Sequence, residues 1–70
     1  MKLLVVVEQT GTGYSAYAPD LPGCVATGPP RPEVESRIRE AVGLHLEGLR
    51  GQGLTPPEPG AYATVVEVAA

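Results

Sequence analysis

The stretch Tyr14-Ser15-Ala16-Tyr17-Ala18-Pro19-Asp20-Leu21-Pro22-Gly23-Cys24 sets the frame for the rest of the chain. Its first five residues alternate, with Tyr14, Ala16 and Ala18 on one face of an extended strand and Ser15 and Tyr17 on the other. A turn follows over residues 19–23. Two prolines fix φ, Asp20 can bond nearby backbone, and Gly23 permits a positive φ. Residues 24–27 resume as a short strand. Gly28-Pro29-Pro30 ends it, because proline cannot donate to a ladder.

On the N-terminal side lies Lys2-Leu3-Leu4-Val5-Val6-Val7-Glu8, an aliphatic run that is unbroken rather than alternating. Such a run predicts a strand covered on both faces and central in its sheet. Residues 9–13 hold two glycines and two threonines, which is hairpin chemistry. On the C-terminal side a helix is predicted from about residue 32 to residue 50. Pro32 suits the first turn, where its missing N–H has no partner anyway. Glu33 and Glu35 sit at the positive end of the dipole and are spaced i,i+4 from Arg37 and Arg39. Val34, Ile38, Ala41, Val42, His45 and Leu49 form one stripe, with Leu44 and Leu46 on its shoulders. Gly51 and Gly53 stop the helix, and Leu54 can close a Schellman-type cap. The proline-rich residues 55–60 make a stiff connector. In residues 61–68, Tyr62, Thr64, Val66 and Val68 alternate with Ala63, Val65 and Glu67, which predicts a last strand.

The expected fold is therefore α+β, with element order β-β-β-α-β. It is one domain over residues 1–70, a four-stranded sheet with one helix on one face. No second helix is available for the other face, so its apolar residues need a second copy of the chain to hide them. Size points the same way. A chain of 70 residues buries only about 60% of its unfolded surface. It has one cysteine and one histidine, so neither an intrachain disulfide nor a Cys/His zinc cluster can staple it. Self-association remains, as a dimer or tetramer. The three tyrosines are its only aromatic residues.

The net charge of −3 and a pI near 4.9 argue against direct nucleic-acid binding, which calls for a basic patch. An acidic surface suits a basic protein partner. The five apolar residues 3–7 are too few for a signal peptide core or a membrane span. A cytoplasmic location is expected, which also fits one unpaired thiol.

Two segments carry a family resemblance. Tyr17-Ala18-Pro19-Asp20-Leu21-Pro22-Gly23-Cys24 resembles the Pro-Asp-Leu-Pro-Gly-Cys signature of the HicB-like antitoxins. His45-Leu46-Glu47-Gly48-Leu49-Arg50, then Gly53-Leu54 and Pro56-Pro57-Glu58-Pro59, resemble that family's helix end and connector. The spacing between them matches too. The resemblance implies a shortened ribonuclease-H-like arrangement with the first strand central and the last strand parallel to it. It implies an antitoxin that binds and inhibits a small basic mRNA-cleaving toxin of the HicA type. Many members carry a DNA-binding segment after the last strand. The sequence stops at that point, so a short member without that segment, and without autoregulation of its own, is expected. The alternative is an orphan structural or ligand-binding homo-oligomer with no toxin partner.

The candidate contact surface is Tyr14, Tyr17, Asp20, Leu21 and Pro22, a rigid turn flanked by amphipathic rings. His45 is the candidate for an oligomer interface. Cys24 and His45 lack a third orienting group, so they read as packing residues rather than a nucleophile and base. A two-metal nuclease needs converging carboxylates, whereas this chain has a single aspartate and its glutamates lie mostly on the helix surface. No catalytic residue, metal or cofactor is expected.

Overall fold

A computed structural model of the chain describes residues 1–28 and 31–69. Three strands, β1 (Val6–Gln9), β2 (Tyr14–Tyr17) and β3 (Val25–Gly28), form an antiparallel sheet in the order β1-β2-β3. One helix, α1 (Arg31–Gly51), packs on one face of it. Val6 lies opposite Tyr17 and Gln9 opposite Tyr14. The hairpin between them closes where the Thr10 N–H donates to the Gly13 carbonyl at 2.7 Å. Tyr14 lies opposite Gly28 and Tyr17 opposite Val25 across the second pair.

This register puts Val7, Ala16 and Ala26 in one row facing α1, and Val6, Tyr17 and Val25 in a row on the far face. The fully buried residues are Ala16, Ala18, Leu21, Cys24, Val34 and Ile38. The core is thus made by β2, the loop after it and the first half of α1. The second half of the helix overhangs a sheet of four-residue strands, and Val42, Leu46 and Leu49 are only half-buried. The start of α1 sits tightly on the end of β3: a Cβ added at Gly28 would lie 3.2 Å from the Val34 nitrogen. Arg37 reinforces this junction. Its Nη1 donates to the Thr27 carbonyl at 2.6 Å, and its Nη2 stands 3.5 Å from Glu33 Oε1, the expected i,i+4 pair. Both side chains are about half exposed, so the ion pair itself contributes little.

The helix ends as its glycines predict. Gly53 has φ +73°, its N–H donates to the Arg50 carbonyl at 3.0 Å, and the Leu54 N–H donates to the Leu49 carbonyl at 2.9 Å. This bonding pattern is a Schellman cap. The Pro29-Pro30 break, where a helix-capping side chain is lacking, lies outside the described residues.

Two expectations need correction. The sheet has three strands, not four, because residues 61–68 join no ladder. In consequence β1 is an edge strand rather than a central one. The first strand also begins at Val6, not at residue 2. The cause is local. β2 stops at Tyr17 because the chain turns at Pro19, so residues 2–5 extend past the end of their neighbour. Their aliphatic composition asks for a partner that β2 does not supply.

Candidate interaction surface

Three features make up the surface: a bonded loop, an open groove and an unpaired arm. The loop spans residues 18–24 and is two consecutive β-turns. The Leu21 N–H donates to the Ala18 carbonyl at 3.0 Å, with Pro19 at the second position. The Cys24 N–H then donates to the Leu21 carbonyl at 3.1 Å, with Pro22 second and Gly23 third at φ +80°. Proline pre-sets the second position, and a positive φ at the third is a type II requirement that glycine meets without strain. The Ala18 N–H donates to the Cys24 carbonyl at 3.2 Å and closes the whole loop. Leu21, between the two turns, is 1% exposed and plugs the core.

Asp20 is left on the outer side of this loop, and its carboxylate is engaged. Its Oδ2 accepts the Gly60 N–H at 3.2 Å and the Ala61 N–H at 3.3 Å. The expectation that Asp20 bonds the backbone of its own turn is corrected: the partners found for its carboxylate lie 40 and 41 residues on. Sequence reasoning missed this tether. The one signal for it is a lone aspartate presented between two prolines, where the backbone is already fixed and the carboxylate is free to reach elsewhere.

The groove lies between the N-terminal run and the helix and has a volume of about 660 Å³. Leu3, Val5 and Val7 line one wall and Ile38, Val42 and Leu46 the other. Glu35, Arg39 and Arg50 also border it. The backbone of β1 faces this side without a neighbouring strand among the described residues. The opposite edge of the sheet, β3, is partly covered by Arg37.

The arm begins at the Asp20 tether. Residues 61–69 leave the body with no regular structure. Both faces of the expected strand are open, with Tyr62 85%, Val65 97%, Val66 72% and Val68 74% exposed.

The sequence-derived candidates distribute as follows. Tyr17 (39% exposed) and Pro22 lie at the surface at the turn end of the sheet. Tyr14 is at the other end of β2, on the helix side, packed against the core. Leu21 is interior and Asp20 holds the arm. His45 is half-buried on α1. Burial pushes the Cys24 thiol above its ordinary value. Among the described residues no group of three or more His, Cys, Asp or Glu could hold a metal. No described helix is long and apolar enough to cross a membrane.

The architecture is a small antiparallel meander with one helix on one face and an apolar groove beside the first strand. The family model for the HicB_like antitoxin of bacterial toxin-antitoxin system matches residues 3–69, and this chain belongs to that family. A UPF0150 protein of Helicobacter pylori is 37% identical over 54 residues, 77% of this chain and 75% of the relative. An uncharacterised 14.9 kDa protein of Haemophilus phage HP1 is 33% identical over 45 residues, 64% of this chain but only 34% of the phage protein. The solved structure of a HicA3 and HicB3 toxin-antitoxin complex contains a chain that superimposes with a TM-score of 0.67 and 26% identity. That match covers 84% of this chain and 72% of the other.

Proposed function

We propose that this protein is a cytoplasmic antitoxin that binds a small, basic HicA-type mRNA-cleaving toxin and masks it, without catalysis of its own. The observation that carries the reading is the family match over residues 3–69, supported by the likeness to a chain from a HicA3 and HicB3 complex. The net charge of −3 complements a basic RNA-binding surface and favours fast encounter with it. Contact is assigned to the turn end of the sheet. Tyr17 and Pro22 touch the toxin, while Asp20, Leu21 and Tyr14 act through the backbone that they hold. In the same reading the antitoxin works as a homo-dimer or tetramer, with His45 at the interface between copies, and makes no direct contact with nucleic acid.

The test is to purify a small basic protein encoded beside this chain and follow its RNA cleavage while the chain is titrated in. Inhibition at stoichiometric addition is expected. Tyr17→Ala should weaken it by about tenfold, the effect of losing one exposed aromatic anchor worth about 1.4 kcal/mol. Full cleavage in the presence of excess folded chain would end the antitoxin reading. A purely structural homo-oligomer would then stand, favoured by the unpaired arm and groove.

A further inference from the structure

We propose that a second pocket, between the β1–β2 hairpin and α1, binds a small phosphate monoester, with Arg37 as the residue that holds the phosphate. The site lies apart from Tyr17 and Pro22, the residues assigned to the toxin, and from the groove beside β1.

The pocket has a volume of about 440 Å³. Thr10, Thr12 and Tyr14 wall it from the hairpin, Thr27 and Gly28 from the end of β3, and Arg37 from α1. Its chemistry is the reverse of the groove's. Among the described residues that line it there is no aliphatic side chain and no carboxylate, only hydroxyls, glycines and one guanidinium. Two backbone carbonyls at the site already have donors: the Gly13 carbonyl accepts the Thr10 N–H, and the Thr27 carbonyl accepts Arg37 Nη1. Thr10 Oγ1 accepts the Thr12 N–H at 3.4 Å, which leaves its own hydrogen to donate elsewhere. The lining is therefore rich in donors and its acceptors are largely taken.

Arg37 is set up to use this. The 2.6 Å bond to the Thr27 carbonyl fixes its head at the pocket wall, so less side-chain freedom is lost on binding. That bond and the 3.5 Å contact with Glu33 engage two of the five N–H groups of a guanidinium. The side chain is 51% exposed, so the others are open to solvent. A ligand that meets a guanidinium and several hydroxyls together needs more acceptor oxygens than the two of a planar carboxylate. A phosphate monoester offers three and forms charge-assisted bonds with arginine. The volume falls within the range of small-molecule pockets, about 300–1,000 Å³, which leaves room for a compact group on the phosphate. A polynucleotide is disfavoured, because one arginine serves the site and the chain carries a net charge of −3.

NMR titration of the nitrogen-labelled full chain with inorganic phosphate, adenosine monophosphate and adenosine, at constant ionic strength in sodium chloride, tests this. Saturable shifts are expected at the amides of residues 10–14 and 27–28 and at Arg37 Nε–H with both phosphates, and none with adenosine. Tighter binding of the ester than of inorganic phosphate would support a site that also holds the attached group. Arg37→Gln should weaken phosphate binding by about tenfold, the loss of one charge-assisted contact. Glu33→Gln frees the guanidinium from its competing carboxylate and should tighten binding by about threefold. The second variant stays decisive where the first fails to fold, since a purely structural Arg37 predicts no change in phosphate affinity. Absence of saturable shifts with inorganic phosphate, shifts centred on Lys2, Arg39 or Arg50, or unchanged affinity in folded Arg37→Gln or in Glu33→Gln would overturn the proposal.

Discussion

Residues 18–24 and residues 61–68 are similar in length, and both are largely apolar, yet one closes on itself and the other joins no ladder. The loop closes three backbone hydrogen bonds within itself and buries Leu21 and Cys24. The arm has none of its own beyond its root, and Val65 stands almost fully in solvent. The difference lies in where the partners are. Proline, glycine and a central leucine let the loop satisfy itself over seven residues. A strand cannot do this, because every one of its hydrogen bonds belongs to another segment.

Perturbing the two segments should therefore give unequal effects. Leu21→Ala should be the largest, a loss of about 2–5 kcal/mol in urea unfolding at fixed protein concentration, since it empties the plug of a small core. A loss below about 1 kcal/mol would show that the loop is not the centre of the body. Asp20→Asn removes the charge that binds the Gly60 and Ala61 amides. It should cost about 1 kcal/mol and speed amide exchange at those two residues while leaving the sheet amides unchanged. Unaltered exchange there would show that the arm is held by something other than this carboxylate. The smallest effect should be alkaline. The folded state keeps the Cys24 thiol protonated to higher pH than the unfolded chain does. Nothing is lost at neutral pH, and stability declines as pH climbs past the ordinary thiol range near 8.5. Cys24→Ala should flatten that decline, and a wild-type pH curve level up to pH 10 would show the thiol to be solvated.

The same contrast explains what could be read in advance. The turn over residues 19–23, the hairpin and the helix stop at Gly53 were legible because each is written in a few adjacent residues with fixed backbone preferences; that the turn is double was not. The third strand and the Glu33–Arg37 pair were legible for the same reason. The apolar runs at residues 2–8 and 61–68 announce a demand for partners but not which molecule meets it. The expectation of a fourth strand beside the first assumed that one chain supplies both sides, and the three-stranded sheet corrects it. The Asp20 tether was illegible for a different reason: a carboxylate's hydrogen bond to a backbone amide leaves no mark on the identity of the residue that donates.

The tether also bears on the order of events during synthesis. The hairpin, the double turn and the helix involve neighbours in sequence, so they can form while the nascent chain is still attached to the ribosome. The arm follows them out and finds its root already prepared at Asp20.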